Sequence, residues 1–275
     1  MAFLRIIRPA NCIFIFVCVM GGAYFKNDYI FESATLYVSF IAMLIGAFGY
    51  VINDVVDIDM DRLNRPHRVL PSNEMKKSTA IVFSLILVAS GVYLATFIEN
   101  LYIIYITILN SFLLFIYALS LKKIPLIGNL LVAIVAGSTF IFGGLSNDNI
   151  LNSINIAIIA SIFTLIREIV KDAEDIHGDS SFGAKTLPII FSRAFSLEFV
   201  GFLIVLLLGF IIFLYSTQRM FLKTTILLTI LTIIPMFYLM VENLKKINTI
   251  SLRRYSNFIK IEMLVLLIIT FFGER

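Results

Sequence analysis

Charge is what this chain has least of. Asp, Glu, Lys and Arg make up 15% of its 275 residues, against 60% hydrophobic, and the mean hydropathy is +0.97. Those values exclude a soluble globular domain and leave an integral membrane protein. Cysteine is nearly absent too. Cys12 and Cys18 share the first apolar run, face different sides of a helix and form no C-x-x-C, so neither a disulfide framework nor a zinc site is supported. The net charge of +4 arises from residues between the apolar runs and gives no nucleic-acid signature. The middles of those runs are almost free of charge. That argues against the alternative of a transporter relaying cations or protons through intramembrane acids.

The apolar runs predict an all-α integral membrane protein with nine transmembrane helices in a single domain, 1–275. The segments are Pro9–Phe25, Ala34–Ile52, Thr79–Phe97, Leu101–Leu121, Leu126–Leu145, Ile150–Val170, Phe195–Tyr215, Phe221–Val241 and Asn257–Phe272. Gly21-Gly22-Ala23 after the first apolar core would also suit a signal peptide, but the run reads as the first span. In the fifth span, Gly128, Gly137, Gly143 and Gly144 permit close helix approach. With the N-terminus cytoplasmic, 18 of the 22 Lys and Arg fall on the cytoplasmic side, leaving Lys26, Arg219, Lys223 and Arg275 outside. Such a split is a strong orienting signal. It predicts a multi-pass cell-membrane protein among membrane lipids, with its functional face toward the cytoplasm.

Two acidic motifs interrupt this apolar background. Asn53 to Pro71 reads NDVVDIDMDRLNRPHRVLP, in which Asp54, Asp57 and Asp61 fall within ~60° of one helical face while Asp59 points away. Lys171 to Pro188 reads KDAEDIHGDSSFGAKTLP, and Asp172, Asp175 and Asp179 repeat the same D-x-x-D-x-x-x-D spacing. Glu168 lies one turn earlier on that face, and each motif runs into basic residues and then Leu-Pro. The match in spacing and flanks points to an internal duplication. It places both motifs at the cytoplasmic ends of helices 2 and 6.

Carboxylates sharing one face at the end of an apolar helix repel each other unless a cation lies between them. Oxygen-only ligation suits Mg²⁺ or Ca²⁺, and Mg²⁺ typically bridges one or two carboxylates to substrate phosphates. The neighbouring cations Arg62, Arg65, Arg68, Lys122, Lys123, Arg167, Lys171 and Lys185 can take the remaining phosphate oxygens. A diphosphate at a membrane surface carrying an apolar tail is an isoprenyl diphosphate. Metal and cations would stabilise the leaving diphosphate, and an acceptor would capture the allylic cation. Asn11, near the cytoplasmic end of the first span, reads as a substrate-binding amide, and Asn110 as a structural one. His67 and His177 read as loop residues, and Asp59 and Glu174 as partners of solvent or Arg.

The first motif with Asn64-Arg65-Pro66 and Leu70-Pro71-Ser72, and the second after the sixth span, resemble the UbiA superfamily of intramembrane prenyltransferases. Arg8-Pro9-x-Asn11, Lys122-Lys123-x-Pro125-Leu126-x-Gly128-Asn129 and Arg167-Glu168-x-x-Lys171-Asp172-x-Glu174-Asp175 are most similar to its branch of archaeal digeranylgeranylglyceryl phosphate synthases. The resemblance implies Mg²⁺-dependent transfer of a geranylgeranyl group to a lipid phosphate acceptor, geranylgeranylglyceryl phosphate. Asp54, Asp57, Asp61, Asp172, Asp175 and Asp179 would hold Mg²⁺ and diphosphate, and Asn53 would support the first cluster. Arg65, Arg68, Lys122 and Lys185 would contact phosphates, with Lys123 an equal candidate to Lys122. Asn73 departs from the pattern, since many members carry Gly there. An aromatic acceptor such as 4-hydroxybenzoate or a naphthoate is the alternative within the superfamily.

Overall fold

The computed structural model describes residues 1–24, 32–147, 150–181 and 183–272, and these are helical wherever they are regular. Phe25, Lys26 and Arg275 of the readings above lie outside the described residues, as do the side chains of Asn64 and His177. Seven helices are long and apolar enough to cross a membrane, and Pro9–Ala23 is a shorter apolar helix. The C-terminal helix Thr249–Phe272 carries Arg253, Arg254, Lys260 and Glu262. The chain divides into two compact units. One comprises Met1–Lys122 with Val135–Ala157, and the other Lys123–Ile134 with Ile158–Arg275.

In the first unit, α1 (Ala2–Ile6) and α2 (Pro9–Ala23) precede α3 (Ser33–Val56). The short α4 (Ile58–Asn64), α5 (Lys77–Ala95) and α6 (Leu101–Leu119) follow. α3 is the central helix and packs against α2, α5 and α6. Its 24 residues span ~36 Å, enough for a hydrocarbon core. Ile6, Phe48, Val51, Val55, Val69 and Leu70 share one buried cluster. The loop after α4 is therefore anchored by its own apolar residues, with Leu70 only 1% exposed. Burying a side chain of that size stabilises by about 1.5–3 kcal/mol.

The helix α7 (Ile127–Ser146) contributes residues from Val135 onward to this unit. There it meets α2 backbone to backbone. A Cβ on Gly143 would lie 1.8 Å from the Val19 carbonyl oxygen, and one on Gly22 1.9 Å from that of Phe140. Asn110 on α6 donates to Ser138 Oγ at 2.8 Å, the structural role its sequence position suggested.

The second unit holds the remainder of α8 (Ile150–Ser181), then α9 (Leu187–Ile190), α10 (Arg193–Ser216), α11 (Leu222–Leu228), α12 (Ile234–Lys245) and α13 (Thr249–Phe272). A π-helical turn, Thr229–Ile233, joins α11 to α12. Pro235 explains its position, because proline offers no N–H to the Leu231 carbonyl and the helix widens just before it. α10 packs on α12, and α11 and α12 pack on α13, where Tyr255 Oη donates to the Met236 carbonyl at 2.9 Å.

The helices differ from the sequence reading mainly at their ends. α8 runs eleven residues past Val170, so the second motif and His177 lie on a helix rather than in a loop. It stops at a Schellman cap, in which Ala184 N–H bonds to Asp179 O at 3.1 Å and Gly183 N–H to Ser180 O at 3.2 Å. Gly183, at φ 69°, supplies the left-handed residue. α13 begins eight residues before Asn257.

The contact at Gly143 yields a direct prediction. Gly143→Ala forces helix backbones apart and should cost about 3 kcal/mol, the upper range for overpacking, whereas Gly209→Ala, with nothing within 4 Å of its Cβ, should be near neutral. Thermal unfolding in detergent, followed by size-exclusion chromatography, checks the pair.

Candidate active site

The first motif lies where α3 ends. Asp54 is in its last turn, Asp57 (φ −88°, ψ 7°) breaks the helix, and Asp61 lies in α4. The i to i+4 backbone bonding survives the break, with Asp57 N–H to Asn53 O at 2.9 Å and Asp61 N–H to Asp57 O at 2.8 Å. Asp54 and Asp61 are 5% and 2% exposed. Carboxylates so buried require cations. Arg68 Nη1 lies 2.5 Å from Asp61 Oδ2 and 3.2 Å from Asp54 Oδ1, so both carboxylates converge on one nitrogen. Arg8 Nη2 meets the same oxygen, Asp54 Oδ1, at 2.5 Å, and its guanidinium lies 5.1 Å from the Tyr50 ring centroid. Asp57 faces a different cation: it pairs with Lys122 Nζ and accepts from Asn53 Nδ2 at 2.9 Å.

The expected trio of carboxylates is therefore a convergent pair, Asp54 and Asp61, with Asp57 held apart. Among the described residues no group of three or more acidic side chains stands ready for a metal. The pair nevertheless fits Mg²⁺ by its donor chemistry: two carboxylates already share one cation position, and Mg²⁺ is commonly held by one or two carboxylates plus phosphate oxygens. Lys122 rather than Lys123 reaches this cluster. Arg65, half-buried, closes the C-terminus of α4 through its N–H to Asp61 O at 2.8 Å.

Local packing aims these cations. Val69 and Leu70 bury the loop that carries Arg68. That loop closes with Asn73 N–H to Leu70 O and Glu74 N–H to Val69 O, both 3.1 Å, around Asn73 at φ 59°. Asparagine tolerates this left-handed conformation better than any residue except glycine, so the departure at Asn73 keeps the turn. Arg5 clamps the loop from α1, binding both Glu74 carboxylate oxygens at 2.6 Å and the carbonyl of exposed His67 at 3.0 Å. The Arg5 hydrogen bonds hold the Glu74 carboxyl below its usual range. Asp59 is exposed and paired with Arg62, as its position off the common face suggested.

In the second unit, all three aspartates of the motif share α8. Asn129 on α7 donates to Asp172 Oδ2 at 2.8 Å. Lys171 bridges Asp175 at 3.1 Å and Glu174 at 3.0 Å, and Glu174 also accepts from Arg253 Nε at 2.9 Å. Asp179 is half-buried. Arg167 pairs with the adjacent Glu168. Lys185 is exposed, and its backbone N–H bonds to Lys123 O at 3.1 Å. Asn11 is half-buried one turn after Arg8.

Two residues at these clusters carried no role in the sequence reading, Arg8 and Asn129. The available signals were an arginine placed directly before a helix-starting proline and a lone amide one turn into an apolar helix.

The UbiA prenyltransferase family model matches residues 14–259. The digeranylgeranylglyceryl phosphate synthase of Methanocaldococcus jannaschii is 35% identical over 267 residues, covering 97% of this chain and 93% of that one. Its namesake in Methanosphaera stadtmanae is 34% identical over 265 residues, covering 96% and 95%. A solved structure of digeranylgeranylglyceryl phosphate synthase superposes with a TM-score of 0.79 at 33% identity, over 99% of this chain and 97% of the other. A UbiA homologue from Archaeoglobus fulgidus, solved with GPP and Mg²⁺, shares the fold with a TM-score of 0.72 at 15% identity, over 98% and 99%. The match spans the helices and both acidic motifs: the chain belongs to the UbiA prenyltransferase family and is a membrane prenyltransferase.

Proposed function

We propose that this chain transfers a geranylgeranyl group from geranylgeranyl diphosphate to the free hydroxyl of geranylgeranylglyceryl phosphate, forming the second ether bond of archaeal membrane lipids. The observation that carries the choice of acceptor is the near full-length likeness to curated synthases of that product. Asp54, Asp57, Asp61, Asp172, Asp175 and Asp179 would hold Mg²⁺ and the diphosphate. When bound, Mg²⁺ neutralises charge developing on the leaving diphosphate. Asn53 fixes the Asp57 carboxylate. Arg68 and Lys122 exchange a carboxylate for a phosphate oxygen, and Arg65, Arg167, Lys171 and Lys185 supply further phosphate donors. The allylic C–O bond then ionises, and the acceptor oxygen attacks the carbocation and releases its proton.

Nine spans, a cytoplasmic N-terminus and a cytoplasmic site belong to the same reading, supported by the partition of Lys and Arg. Its topology is testable because Cys12 and Cys18 are buried. Lys76→Cys should react with a membrane-impermeant maleimide only in inside-out vesicles, and Thr217→Cys only in right-side-out ones; the reverse pattern overturns the orientation.

Purified protein with labelled geranylgeranyl diphosphate should convert geranylgeranylglyceryl phosphate in Mg²⁺ and lose turnover in EDTA. Product with 4-hydroxybenzoate instead would retain prenyl transfer and overturn the acceptor. Removing one carboxylate should lower kcat about 10²-fold or more in Asp57→Asn and Asp175→Asn, the scale of losing one group aimed at developing charge. Unchanged kcat in both would remove the motifs from the chemistry.

A further inference from the structure

Among the described residues, three cations touch the Asp54, Asp57 and Asp61 carboxylates, and Arg8 is the most open of them. Its side chain is 29% exposed, against 18% for Arg68 and 12% for Lys122. Arg68 gives Nη1 to two carboxylates and is the more enclosed, and Arg5 is engaged by Glu74 and the His67 carbonyl. Arg8 gives Nη2 to Asp54, and among the described residues its Nε and Nη1 make no hydrogen bond. One turn along α2, the half-buried Asn11 carboxamide likewise makes none among the described residues. A fork of guanidinium and amide donors is thus left at the edge of the carboxylate pair, outside both acidic motifs.

The backbone is strained to produce it. Arg8 has φ 54° and ψ 70°, a left-handed conformation that costs an ordinary residue roughly 1–2 kcal/mol. Pro9 already disfavours the right-handed helical region at the residue before it. The buried Ile6, the Cys12 Sγ bond to the Ile7 carbonyl and the Arg5–Glu74 clamp over-determine this short stretch. Strain held by so many neighbours is a pointer to function.

We propose that Arg8, assisted by Asn11, binds the anionic group of the acceptor, the phosphate monoester of a glyceryl lipid. The inference rests on the prenyl transfer proposed above. Prenyl diphosphate and acceptor phosphate each bring anionic oxygens, and one cation set cannot serve both. All three cations touch carboxylates assigned to metal and diphosphate, but, among the described residues, Arg68 and Lys122 are the more enclosed and Arg8 is the one with an unbonded amide beside it. The acceptor's phosphate is separated from its reacting hydroxyl by the glycerol carbons, so its cation belongs beside the carboxylate cluster and not in it. Arg8 meets that condition at the edge of the cluster, with one donor on Asp54 and its Nε and Nη1 making no hydrogen bond among the described residues. A guanidinium fork also matches phosphate oxygens in a way that a lysine does not.

Arg8→Gln should raise the acceptor KM about 10- to 100-fold, the scale of hydrogen bonds to a charged group. The KM for geranylgeranyl diphosphate and the Mg²⁺ concentration for half-maximal rate should change far less than the acceptor KM, because Arg68 still pairs with Asp54. Arg8→Lys should fall between Gln and wild type, and Asn11→Ala, which disturbs no ion pair, should raise the acceptor KM several-fold. A direct arm measures binding of labelled geranylgeranylglyceryl phosphate to detergent-solubilised protein in EDTA. Wild type should bind and Arg8→Gln should lose about the same factor, with 4-hydroxybenzoate as the carboxylate control. Lipid phosphate bound without turnover would sink the reaction and leave this site standing. Equal acceptor binding by wild type, Arg8→Gln and Asn11→Ala would sink this site and leave the reaction. A rise in the prenyl diphosphate KM or Mg²⁺ requirement matching that for acceptor would mean Arg8 merely holds Asp54, and would overturn the proposal.

Discussion

Two carboxylates buried at the end of a membrane helix dominate the first unit. Isolated, Asp54 and Asp61 would be prohibitively costly in surroundings that leave them a few per cent exposed. Their cost is offset by convergence on Arg68, with Arg8 as a second cation on Asp54 Oδ1. Removing one partner of such a group leaves an uncompensated buried charge, typically worth 3–5 kcal/mol. Much of the surrounding structure keeps those cations in place: Val69 and Leu70 pin the Arg68 loop, Arg5 and Glu74 tie that loop to α1, and the Arg8 backbone is left-handed beside Pro9. In the proposed reaction, a carboxylate pair already arranged around one cation would take another, leaving the displaced guanidinium for an anion.

Identical spacing does not produce identical backbone. D-x-x-D-x-x-x-D at 54–61 crosses a helix break at Asp57, which separates Asp57 with Lys122 from the Asp54–Asp61 pair. The same letters at 172–179 lie on one uninterrupted helix that ends at Gly183. A spacing fixes helical phase only while the helix lasts. Both segments nevertheless close with the same device, a left-handed residue under a 6→1 and 5→2 pair of hydrogen bonds, using Asn73 in one and Gly183 in the other.

Most of the helices were legible because apolar length is a global signal that survives local error. The segments at 34–52, 79–97, 101–121 and 126–145 each correspond to a helix within a few residues. The sixth span was read short because its last eleven residues are polar, and hydropathy cannot see a helix that leaves the apolar region. The acidic motifs were legible because charge is rare here. What could not be read was partnership. Lys122 and Lys123 are equivalent as letters, and only the three-dimensional path gives Lys122 to Asp57. Arg8 and Asn129 were missed for the same reason, since each meets its aspartate across more than forty residues of chain.

The division between motif and context also bears on how one fold serves different acceptors. Ionisation of a prenyl diphosphate needs the same oxygen ligands and cations whichever nucleophile follows, so the aspartate motifs carry no information about the acceptor. Selectivity among acceptors must come from groups that touch the acceptor and leave the diphosphate alone. In the first unit, such groups need unsatisfied donors, proximity to the carboxylates and a place outside the motifs. Arg5 fails the first condition, and Arg62, whose ion pair is with the exposed Asp59 off the common face, fails the second. Arg8 and Asn11 meet all three, and they sit on α2, the helix whose N-terminus is fixed by strain rather than by a capping side chain. A planar guanidinium held there would match phosphate oxygens bidentately, which a lysine at the same edge would not.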